Sequence, residues 1–480
     1  MEEMNEFVKQ RIDKLNAIKE IGVEPYGGKF NKAVSIEITL KNAKEGDFIQ
    51  TAGRITALRE HGKSSFIDLR DSSERIQVYI KADTIGKDIY TNMFQRLDIG
   101  DILGVKGKFF KTHTGQLTIN AEEITILSKG LRPLPEKWHG LKDVDTRYRQ
   151  RYVDLIVNEN VRKVFQTRSR IISKIRELLD KKDFLEVETP MMQSLAGGAA
   201  GDPFKTHHNA LDIDLYLRLA PELYLKRLLV GGFDKVYELN RNFRNEGISI
   251  RHNPEFTMIE IYEAYSDCLG MMQLTEEIFN YVATEVLGTN KIKFGEETID
   301  LTPPWPRWSF AEEIKKKFDI NPDDSSQDWI KKLQAKGIDF KAKDITRSQI
   351  ANIITEMLEP ETGDRPIFVI DLFAELCPLA KRKKDSPLLT DRFELFMGGM
   401  EIANAYSELN DPIEQKKRFE EQLVGQEGVK KIDEDFVRAL EYGMPPAGGL
   451  GIGIDRMVML LANQLSIRDV ILFPQLKPEA

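Results

Sequence analysis

The feature that most constrains the fold is a series of short segments between residues 48 and 127 in which apolar and polar residues alternate. The five segments are FIQTAGRITALR, SSFIDLRDSS, RIQVYIKA, ILGVKGKFFKTHTG and QLTINAEEITILS. Such alternation is typical of half-buried β-strands, because successive side chains point to opposite faces. A segment with helical spacing, IYTNMFQRLD, lies between the third and fourth. Five strands interrupted at this position predict a closed five-stranded barrel.

The length of the chain indicates that this barrel is one of several domains, since 480 residues exceed what one hydrophobic core normally organises. We expect an N-terminal amphipathic helix and turn, the barrel, a proline-containing linker and a larger domain, over residues 1–30, 31–130, 131–145 and 146–480. Within the last of these, residues 290–385 carry isolated helical patterns and are predicted to be an insertion.

The composition is that of an ordinary globular protein, with 41% hydrophobic and 30% charged residues. No run of about 18 apolar residues is present, and the N-terminus does not resemble a secretory signal. We therefore expect a cytoplasmic protein without membrane association. The net charge of −8 argues against a globally basic nucleic-acid binder, so any such contact must come from local patches.

Common metal and nucleotide motifs are missing from the sequence. The two cysteines, Cys268 and Cys377, are far apart and form no CxxC, so no zinc site is expected. The tripeptide beginning at Gly62 matches the end of a P-loop, but Ala57 stands where its first glycine is needed. The glycine-rich segment AGGLGIGIDR does not fit GxGxxG.

A highly charged hairpin, NRNFRNEGISIRHNPEFTMIEIY, covers residues 240–262. Strand periodicity puts Phe256, Met258, Glu260 and Tyr262 on one face. Phe256 and Glu260 would then be about 13 Å apart, roughly the length of a nucleotide joined to a small substrate. The alternative is a half-exposed strand whose charged face simply meets water.

A second hairpin, residues 391–412, adds carboxylates on both sides of the Gly398–Gly399 pair. Glu394 and Glu401 have opposite strand parities, but the glycines can change the local geometry. Paired carboxylates of this kind suit Mg²⁺, which takes oxygen ligands and arrives with substrate phosphates. On the returning strand, alternate residues share one face: Asn404, Tyr406 and Glu408.

Two helix starts complete the set of candidate segments. In LRLAPELYLKRLLVGG, Pro221 suits a first helical turn and Glu222 lies where the helix dipole favours a carboxylate, which alone could be a purely structural role. The glycine-rich run from Gly449 leads into a helix that begins near Arg456. The run could serve close helix–strand packing, and Arg456 could at the same time reach a phosphate.

Together these segments resemble the class II aminoacyl-tRNA synthetases, and over nearly the whole chain the lysyl-tRNA synthetases of the bacterial type. The three class motifs are matched by FLEVETPMM, FRNEGISIRHNPEFTMIE and GLGIGIDRMVM. Segments that resemble the lysine enzymes specifically are GGAAGDPF, THHNALD, APELYLKRL and EIANAYSELND. The class I signatures HIGH and KMSKS are absent from the sequence. One departure from the family is Met400, where an arginine is common.

The resemblance implies an α+β fold, in which a class II antiparallel sheet with flanking helices follows an N-terminal five-stranded oligonucleotide-binding barrel. It also implies ATP-dependent attachment of lysine to tRNA(Lys) through a lysyl-adenylate, with release of AMP and pyrophosphate. Through the first motif, it implies a homodimer. The implied ligands are ATP with Mg²⁺, L-lysine and tRNA(Lys).

Roles for individual residues follow from the same resemblance. The implied ATP contacts are Arg244, Glu246, His252, Asn253, Phe256, Glu394, Glu401 and Arg456. Among these, Phe256 would stack on adenine, Arg244 and Arg456 would act as the catalytic charges on the phosphates, and Glu394 and Glu401 would be the Mg²⁺ ligands. The implied lysine contacts are Gly198, Glu222, Arg244, Glu260, Tyr262, Asn404, Tyr406 and Glu408. The implied anticodon contacts in the barrel are Arg59, Phe66 and Gln77, although Phe66 could instead be a barrel core residue.

The charges agree with a lysine substrate. Glu260 and Glu408 converging on one pocket would repel each other unless a cation sat between them, and the ε-ammonium of lysine is such a cation. A neutral amino acid would leave both unpaired, whereas ornithine should be rejected by only about 1 to 3 kcal/mol. No side chain is needed as a nucleophile, because the carboxylate of lysine can attack the α-phosphorus of ATP.

Other functions remain open at this stage. A class II relative that charges aspartate or asparagine shares the barrel and the motifs, but its pocket would need a cationic or amide partner for the substrate side chain. A translation-factor lysyltransferase lacks the barrel. A non-catalytic RNA-binding protein descended from a synthetase is disfavoured by intact Arg244, Glu394, Glu401 and Arg456.

Overall fold

The structure is a computed structural model that describes residues 6–32, 34–135, 141, 143–195, 197–199, 201–338, 345–423 and 432–479. The chain divides into two compact units, Met1–Lys142 and Asp143–Ala480. Parts of three predicted segments lie outside the described residues: 1–5 of the N-terminal helix, 136–140 and 142 of the linker, and 339–344 of the insertion. Across the described ranges, no helix is both long and apolar enough to cross a membrane.

The first unit is a closed barrel whose strands follow two helices. Its helices are α1 (Glu6–Glu20), α2 (Ile36–Asn42), α3 (Ala82–Ile85), α4 (Lys87–Asn92) and the 3-10 turn Phe94–Arg96. Its strands are β1 (Phe48–His61), β2 (Ser64–Arg70), β3 (Arg75–Lys81), β4 (Ile102–Lys111) and β5 (Leu117–Ser128). They pair in the order β1-β2-β3-β5-β4 and close on themselves, which confirms the predicted barrel.

The helix predicted between the third and fourth strands is present but broken into short pieces. It starts earlier than expected, at Ala82, and Gly86 interrupts it with a φ of +95°. An L-residue rarely adopts that conformation, so the helix cannot continue through this position. Inside the barrel, alternate strand residues such as Ile55, Ile67 and Val105 are fully buried, and the opposite faces of the strands point outward.

The second unit is organised around an eight-stranded sheet. Its helices are α5 (Val144–Arg149), α6 (Arg151–Val157), α7 (Glu159–Lys181), α8 (Glu222–Val230), α9 (Cys268–Leu287), α10 (Phe310–Phe318), α11 (Ser326–Gln334), α12 (Arg347–Glu356), the 3-10 turn Ala374–Leu376, α13 (Pro412–Leu423), α14 (Glu434–Glu441), α15 (Ile454–Leu461) and α16 (Ile467–Val470). Its strands are β6 (Leu185–Glu186), β7 (Met192–Gln193), β8 (Lys205–His208), β9 (Ile213–Leu217), β10 (Lys235–Phe243), β11 (Glu255–Ala264), β12 (Lys291–Phe294), β13 (Glu297–Asp300), β14 (Arg307–Ser309), β15 (Ile367–Ile370), β16 (Arg392–Met397), β17 (Met400–Ser407) and β18 (Ala447–Gly453).

The large sheet has the strand order β14-β15-β16-β17-β18-β11-β10-β6, and its six strands from β15 to β10 are antiparallel. One face of this sheet packs on α7, α9 and α15 in a single hydrophobic cluster, to which β11 contributes Ile259 and Ile261. Because strand residues alternate, the residues between them belong to the other face. That face carries the predicted site, and the arrangement confirms the α+β fold with an antiparallel sheet and flanking helices.

Two strands of the predicted insertion, residues 290–385, belong to the large sheet. β14 and β15 form the edge of the sheet beside β16, while the helices between them have a hydrophobic cluster of their own. In that cluster Trp329 stacks on Phe373 with ring centroids 4.8 Å apart. Outside the large sheet, β12 and β13 form a two-stranded sheet of their own, and α10, α11 and α12 lie between β14 and β15.

Candidate active site

The open face of the sheet carries the predicted residues in two rows that run across the strands. Pairing among β10, β11, β18, β17 and β16 aligns the first row: Glu238, Glu260, Gly451, Asn404 and Glu394. The second row, two residues away along every strand, is Val236, Tyr262, Gly449, Tyr406 and Arg392. Neighbouring strands are about 4.8 Å apart, so Glu260 and Asn404 are separated by roughly 10 Å.

Glycines on β18 form the floor between these rows. A Cβ atom on Gly449 would lie 1.9 Å from Glu408 Oε1 and 2.6 Å from the Tyr262 ring, so no side chain fits there. On the other face, a Cβ atom on Gly448 would lie 2.8 Å from the side chain of Met271 in the core. The glycine run therefore permits close packing on both faces of β18, and the contact of Arg456 with a phosphate stays a prediction.

Helix α8 brings a buried lysine to the predicted substrate carboxylates. Lys226 is fully buried, its Nζ lies 2.7 Å from Glu222 Oε1, and it also contacts Glu408 Oε2. The Tyr406 hydroxyl donates to Glu222 Oε1 at 2.6 Å. Although burial alone would lower the pKa of Lys226, the charges of Glu222 and Glu408 raise it above its ordinary value.

Neither oxygen of Glu408 has a hydrogen bond of good geometry within the described ranges, but Oε2 is in ionic contact with Lys226. Oε1 of Glu408 is buried and has no hydrogen-bond partner among the described residues. Burial raises the pKa of Glu408 to about 8, and the ammonium of Lys226 opposes that rise. An additional cation next to Oε1 would therefore stabilise the ionised carboxylate.

Glu260 lies at the opposite side of the same pocket and is also buried. The Tyr262 hydroxyl donates to Glu260 Oε2 at 3.1 Å. Burial and the charge of Glu222 raise the pKa of Glu260 well above its ordinary value. Its cross-strand neighbour Glu238 is already neutralised, because Arg218 Nη1 donates to Glu238 Oε1 at 2.6 Å.

The resulting balance of charge is negative. Four buried carboxylates meet two buried cations that contact them, namely Glu222, Glu238, Glu260 and Glu408 against Lys226 and Arg218. With every carboxylate ionised, two negative charges remain without a counter-ion within this cluster. A buried site of this kind favours a ligand that brings two positive groups.

Gly198 and Asn404 flank this pocket. Gly198 has a φ of +83°, and a Cβ atom there would lie 3.4 Å from the Cβ of Glu222, so its backbone passes directly beside that carboxylate residue. Asn404 pairs with Glu394 on one side and with Gly451 on the other. It therefore lies between the carboxylates around Glu222 and those of the β16–β17 hairpin.

The β16–β17 hairpin brings Glu394 and Glu401 to the same face. The register shifts after Leu395, which pairs with Ala403, so that Phe396 pairs with Glu401. A bulge at Ile402 thus corrects the parity, a role that the sequence had assigned to the two glycines of the turn. Burial and the charge of Glu401 raise the pKa of Glu394 to about 7, although Arg392 opposes the rise.

A cavity of about 270 Å³ is lined by Glu394 and Glu401, by two further carboxylates, Glu356 and Glu359, and by the basic residues Arg251, His252 and Arg456. His252 Nε2 lies 3.2 Å from an Arg456 nitrogen, and Arg456 Nη1 donates to the backbone oxygen of Glu401 at 2.6 Å. Burial and the positive charge of Arg456 lower the pKa of His252. No group of three metal-ligating side chains occurs in the described ranges, so an ion here would need further oxygen ligands from substrate or water.

The β10–β11 hairpin holds the remaining predicted nucleotide contacts. The Arg244 guanidinium lies 5.2 Å from the centroid of the Phe256 ring, and a Cβ atom on Gly201 would lie 3.0 Å from Glu246 Oε1. The side chain of Asn253 donates to the backbone oxygen of Glu255, two residues on, and accepts from the backbone N–H of Gln475, 222 residues away in the sequence. These bonds fix Asn253 in place and leave one amide hydrogen and one acceptor position of its side chain, so its contact with ATP stays a prediction.

In the barrel unit, the predicted anticodon residues lie on neighbouring strands. Arg59 pairs with Phe66 across β1 and β2, and the ring of Phe66 contacts that of Tyr79 with centroids 4.8 Å apart and the planes tilted by 33°. Phe66 is only partly buried and is not a member of the barrel core, so the core alternative is wrong. Gln77 accepts a hydrogen bond from the Thr118 hydroxyl at 3.0 Å.

Arg59 is held by a buried carboxylate, since its Nη2 lies 2.8 Å from Asp68 Oδ1. Sequence reasoning missed this partner, and it also missed Tyr79 beside Phe66. In the second unit it missed Lys226 and Arg218, whose roles depend on contacts between distant segments. One local signal was available: Glu222 and Lys226 are four residues apart in APELYLKRL, a spacing that places them on the same face of a helix.

Fold and site together define a class of protein. Residues 143–477 match the family model of the class II tRNA synthetases (D, K and N), and residues 49–127 match that of the OB-fold nucleic acid binding domain. The chain belongs to the class II tRNA synthetases (D, K and N), which confirms the family predicted from its motifs.

Individual relatives are similar over the whole length. The chain is 55% identical to "Lysine--tRNA ligase" of Pelotomaculum thermopropionicum, with 99% of this chain and 96% of the relative covered. It is 53% identical to the protein of the same name from Moorella thermoacetica, over 100% and 99%. The protein of that name from Carboxydothermus hydrogenoformans is 54% identical over 99% of both chains.

Proposed function

We propose that this protein attaches lysine to tRNA(Lys) in two steps, first forming lysyl-adenylate and pyrophosphate from lysine and ATP, then transferring the lysyl group and releasing AMP. The observation that carries the proposal is the cluster of four buried carboxylates around only two cations that contact them, Lys226 and Arg218, which leaves two carboxylates without a counter-ion when all four are ionised. Lysine has two ammonium groups, and its carboxylate can meet a separate cation. The relatives named for this activity cover the whole chain.

Each end of lysine has candidate partners. The α-ammonium would lie at Glu222 and the backbone of Gly198, and the substrate carboxylate at Asn404 and Arg244. The ε-ammonium would lie among three groups: Glu260 and Tyr262 on β11, and Glu408 directly after β17. Tyr406 would position Glu222 through their 2.6 Å hydrogen bond. The free Oε1 of Glu408 supports this assignment, because a buried carboxylate oxygen without a donor is costly.

ATP would occupy the adjoining part of the face. Phe256 would stack on adenine. The backbone near Glu246 and the turn at His252 and Asn253 would surround the nucleotide. Arg244 would bind the α-phosphate and Arg456 the γ-phosphate. Glu394 and Glu401 fit Mg²⁺, since both offer carboxylate oxygens on one face and line the same cavity. When bound, Mg²⁺ would neutralise phosphate charge.

Catalysis would rest on position and charge. The substrate carboxylate attacks the α-phosphorus, a P–O bond forms, and the bond to pyrophosphate breaks with the electron pair leaving on its oxygen. Arg244 and Arg456 would stabilise the negative charge that develops on the phosphates. No protein group needs to accept a proton in this step, because the attacking carboxylate is already ionised.

Aspartate and asparagine, the other substrates in the family name, fit this pocket less well. Both buried cations are already in contact with carboxylates, so neither offers free charge to an acidic side chain. Glu260 and Glu408 would repel aspartate and would leave asparagine opposite unpaired carboxylates. Buried charges without partners discriminate strongly between substrates.

A homodimer is part of the proposal. The segment FLEVETPMM, which resembles the dimer-forming motif of the class, exposes several apolar side chains: Leu185 at 46%, Met191 at 46% and Met192 at 55%. Contiguous exposed apolar residues are typical of surfaces that another protein covers. Sedimentation analysis of the purified chain should give twice the monomer mass of 55.0 kDa.

ATP–pyrophosphate exchange by the purified protein tests the function. Lysine should stimulate the exchange, ornithine should do so less by a factor of about 10 to 100, and aspartate and asparagine should have no effect at the same concentration. Stimulation by aspartate or asparagine in place of lysine would assign the chain to another member of its family. No exchange with any of the four would refute the synthetase function.

The barrel would read the anticodon through Arg59, Phe66 and Gln77, and Phe66→Ala should test this. Loss of one stacked base costs about 1 to 3 kcal/mol, so tRNA charging should fall about 5- to 100-fold while lysine-dependent exchange stays unchanged. Phe48→Ala, which removes an exposed ring at the opposite end of β1 from Arg59, is the matched control. A parallel loss of charging and exchange in Phe66→Ala would mean that the ring only stabilises the fold.

A further inference from the structure

Lys226 stands out because it is a fully buried charged residue that none of the proposed reaction steps uses. It lies four residues after Glu222 on α8, which places both side chains on one face of that helix. Its ammonium contacts Glu222 and Glu408 and lies 5.5 Å from the centroid of the Tyr406 ring. An ammonium has three hydrogen-bond donors, and the acceptors here are the carboxylates of Glu222 on α8 and Glu408 directly after β17.

The two carboxylates that Lys226 joins are assigned to opposite ends of the substrate. Glu222 would meet the α-ammonium and Glu408 the ε-ammonium. The ammonium of Lys226 meets Oε1 of Glu222 and Oε2 of Glu408. It thereby leaves Oε1 of Glu408 without a partner and next to the open floor at Gly449.

We propose that Lys226 is a positioning residue that sets the lysine specificity of the site by holding Glu222 and Glu408 at the correct separation and in their charged forms. This inference rests on the proposed function. The ammonium of Lys226 neutralises one of the two carboxylates, Glu222 and Glu408. The pocket, with all its carboxylates ionised, therefore keeps two negative charges, which match two substrate ammonium groups and no more. Without that ammonium, a third negative charge would be buried there.

The consequence for lysine binding is a change in its pH dependence. Burial raises the pKa of Glu408, and Lys226 opposes that rise. Removing the ammonium would therefore raise the pKa of Glu408 further, and lysine binding, which needs the ionised carboxylate, would be lost at higher pH than in the wild type. The other titratable or charged groups that face this pair are Glu222 on α8, Glu260 and Tyr262 on β11, Tyr406 on β17, and Cys377 and Lys381 in the segment before β16.

The test is lysine-dependent ATP–pyrophosphate exchange by the full-length Lys226→Met variant, measured against lysine concentration at a series of pH values. We expect KM for lysine to rise about 10- to 100-fold, because two buried carboxylates lose their partner. The acid limb of the profile, which is the pH range over which lysine-dependent exchange falls as pH decreases, should move to higher pH by about one unit. KM for ATP should change less than about threefold.

A second buried lysine provides the matched control. In the barrel unit, Lys129 is also buried and joins two carboxylates, with its Nζ 2.5 Å from Asp98 Oδ2 and 3.0 Å from Asp101 Oδ2. Lys129→Met removes the same chemical group from the same kind of environment outside the site. It should lower the melting temperature without moving the acid limb or KM for lysine.

Two further variants keep the inference falsifiable. Lys226→Gln removes the same charge if the methionine variant does not fold, and Lys226→Arg, which retains the charge, should bring the acid limb back toward that of the wild type. If KM for lysine and the acid limb were unchanged in the neutral variants while the wild type retained lysine-dependent exchange, the inference would be wrong and the proposed function would stand. Absence of lysine-dependent exchange in the wild type would overturn the proposed function and this inference together.

Discussion

Glu408→Gln should lower kcat/KM for lysine about 10²- to 10³-fold and change KM for ATP by less than about threefold. Removing one partner from a buried ion pair typically costs about 3 to 5 kcal/mol. Glu408 is fully buried, and its free Oε1 is the oxygen assigned to the ε-ammonium of lysine. Glutamine preserves the shape of the side chain but lacks the charge, and its amide would direct donors at a cation. Exchange kinetics with lysine and ATP varied in turn would measure both effects.

A glutamate that faces away from the site provides the control. Glu263 lies on β11, one residue beyond Tyr262, and pairs at 3.0 Å with Lys235 near the surface. Exposed pairs of this kind contribute about 0 to 1 kcal/mol, so Glu263→Gln should leave both constants within about fivefold. Equal losses for lysine and ATP in Glu408→Gln would contradict the assignment of Glu408 to the amino-acid pocket.

Arg244→Ala should reduce the maximal rate of exchange about 10²- to 10³-fold, because it removes the positive charge that we propose binds both the α-phosphate and the substrate carboxylate. Arg244 is already oriented without ligand, since its guanidinium lies 5.2 Å from the Phe256 ring and its Nε is buried without a hydrogen-bond partner in the described structure. Both lysine and ATP kinetics should deteriorate, unlike in Glu408→Gln.

Arg241→Ala is the matched change on the same hairpin. Arg241 lies three residues earlier, points to the other face of β10 and forms an exposed pair with Glu255 at 3.0 Å. Its loss should alter the rate less than about threefold. If both alanine variants lost activity to the same extent, the effect would reflect the stability of the hairpin and would argue against a role of Arg244 in phosphate binding.

Strand parity was the most reliable guide from the sequence. It placed Phe256, Met258, Glu260 and Tyr262 on one face, and the pairing of β11 with its neighbours has them so. The barrel strands were found for the same reason, because a period of two is a local property of each strand. The charged face of the β10–β11 hairpin is therefore a buried pocket near Glu260, rather than a surface in contact with water.

What could not be predicted depends on contacts between distant segments. The fully buried Lys226 becomes a partner of Glu408 only because α8 and the end of β17 meet in the folded chain. The bulge at Ile402 is decided by how β16 and β17 pair, which the sequence of one strand does not determine. Likewise, the edge strands β14 and β15 are three and four residues long, too short for periodicity to reveal that they belong to the sheet.

The direct measurement of the central claim is the transfer of labelled lysine to tRNA(Lys) by the purified full-length chain with ATP and Mg²⁺. We predict that label accumulates on the tRNA only when ATP is present and that one AMP is released for each lysine attached. The labelled aspartate and asparagine controls should remain at background. The proposed function would be wrong if lysine did not label tRNA(Lys). It would also be wrong if aspartate or asparagine labelled its own tRNA to the same extent.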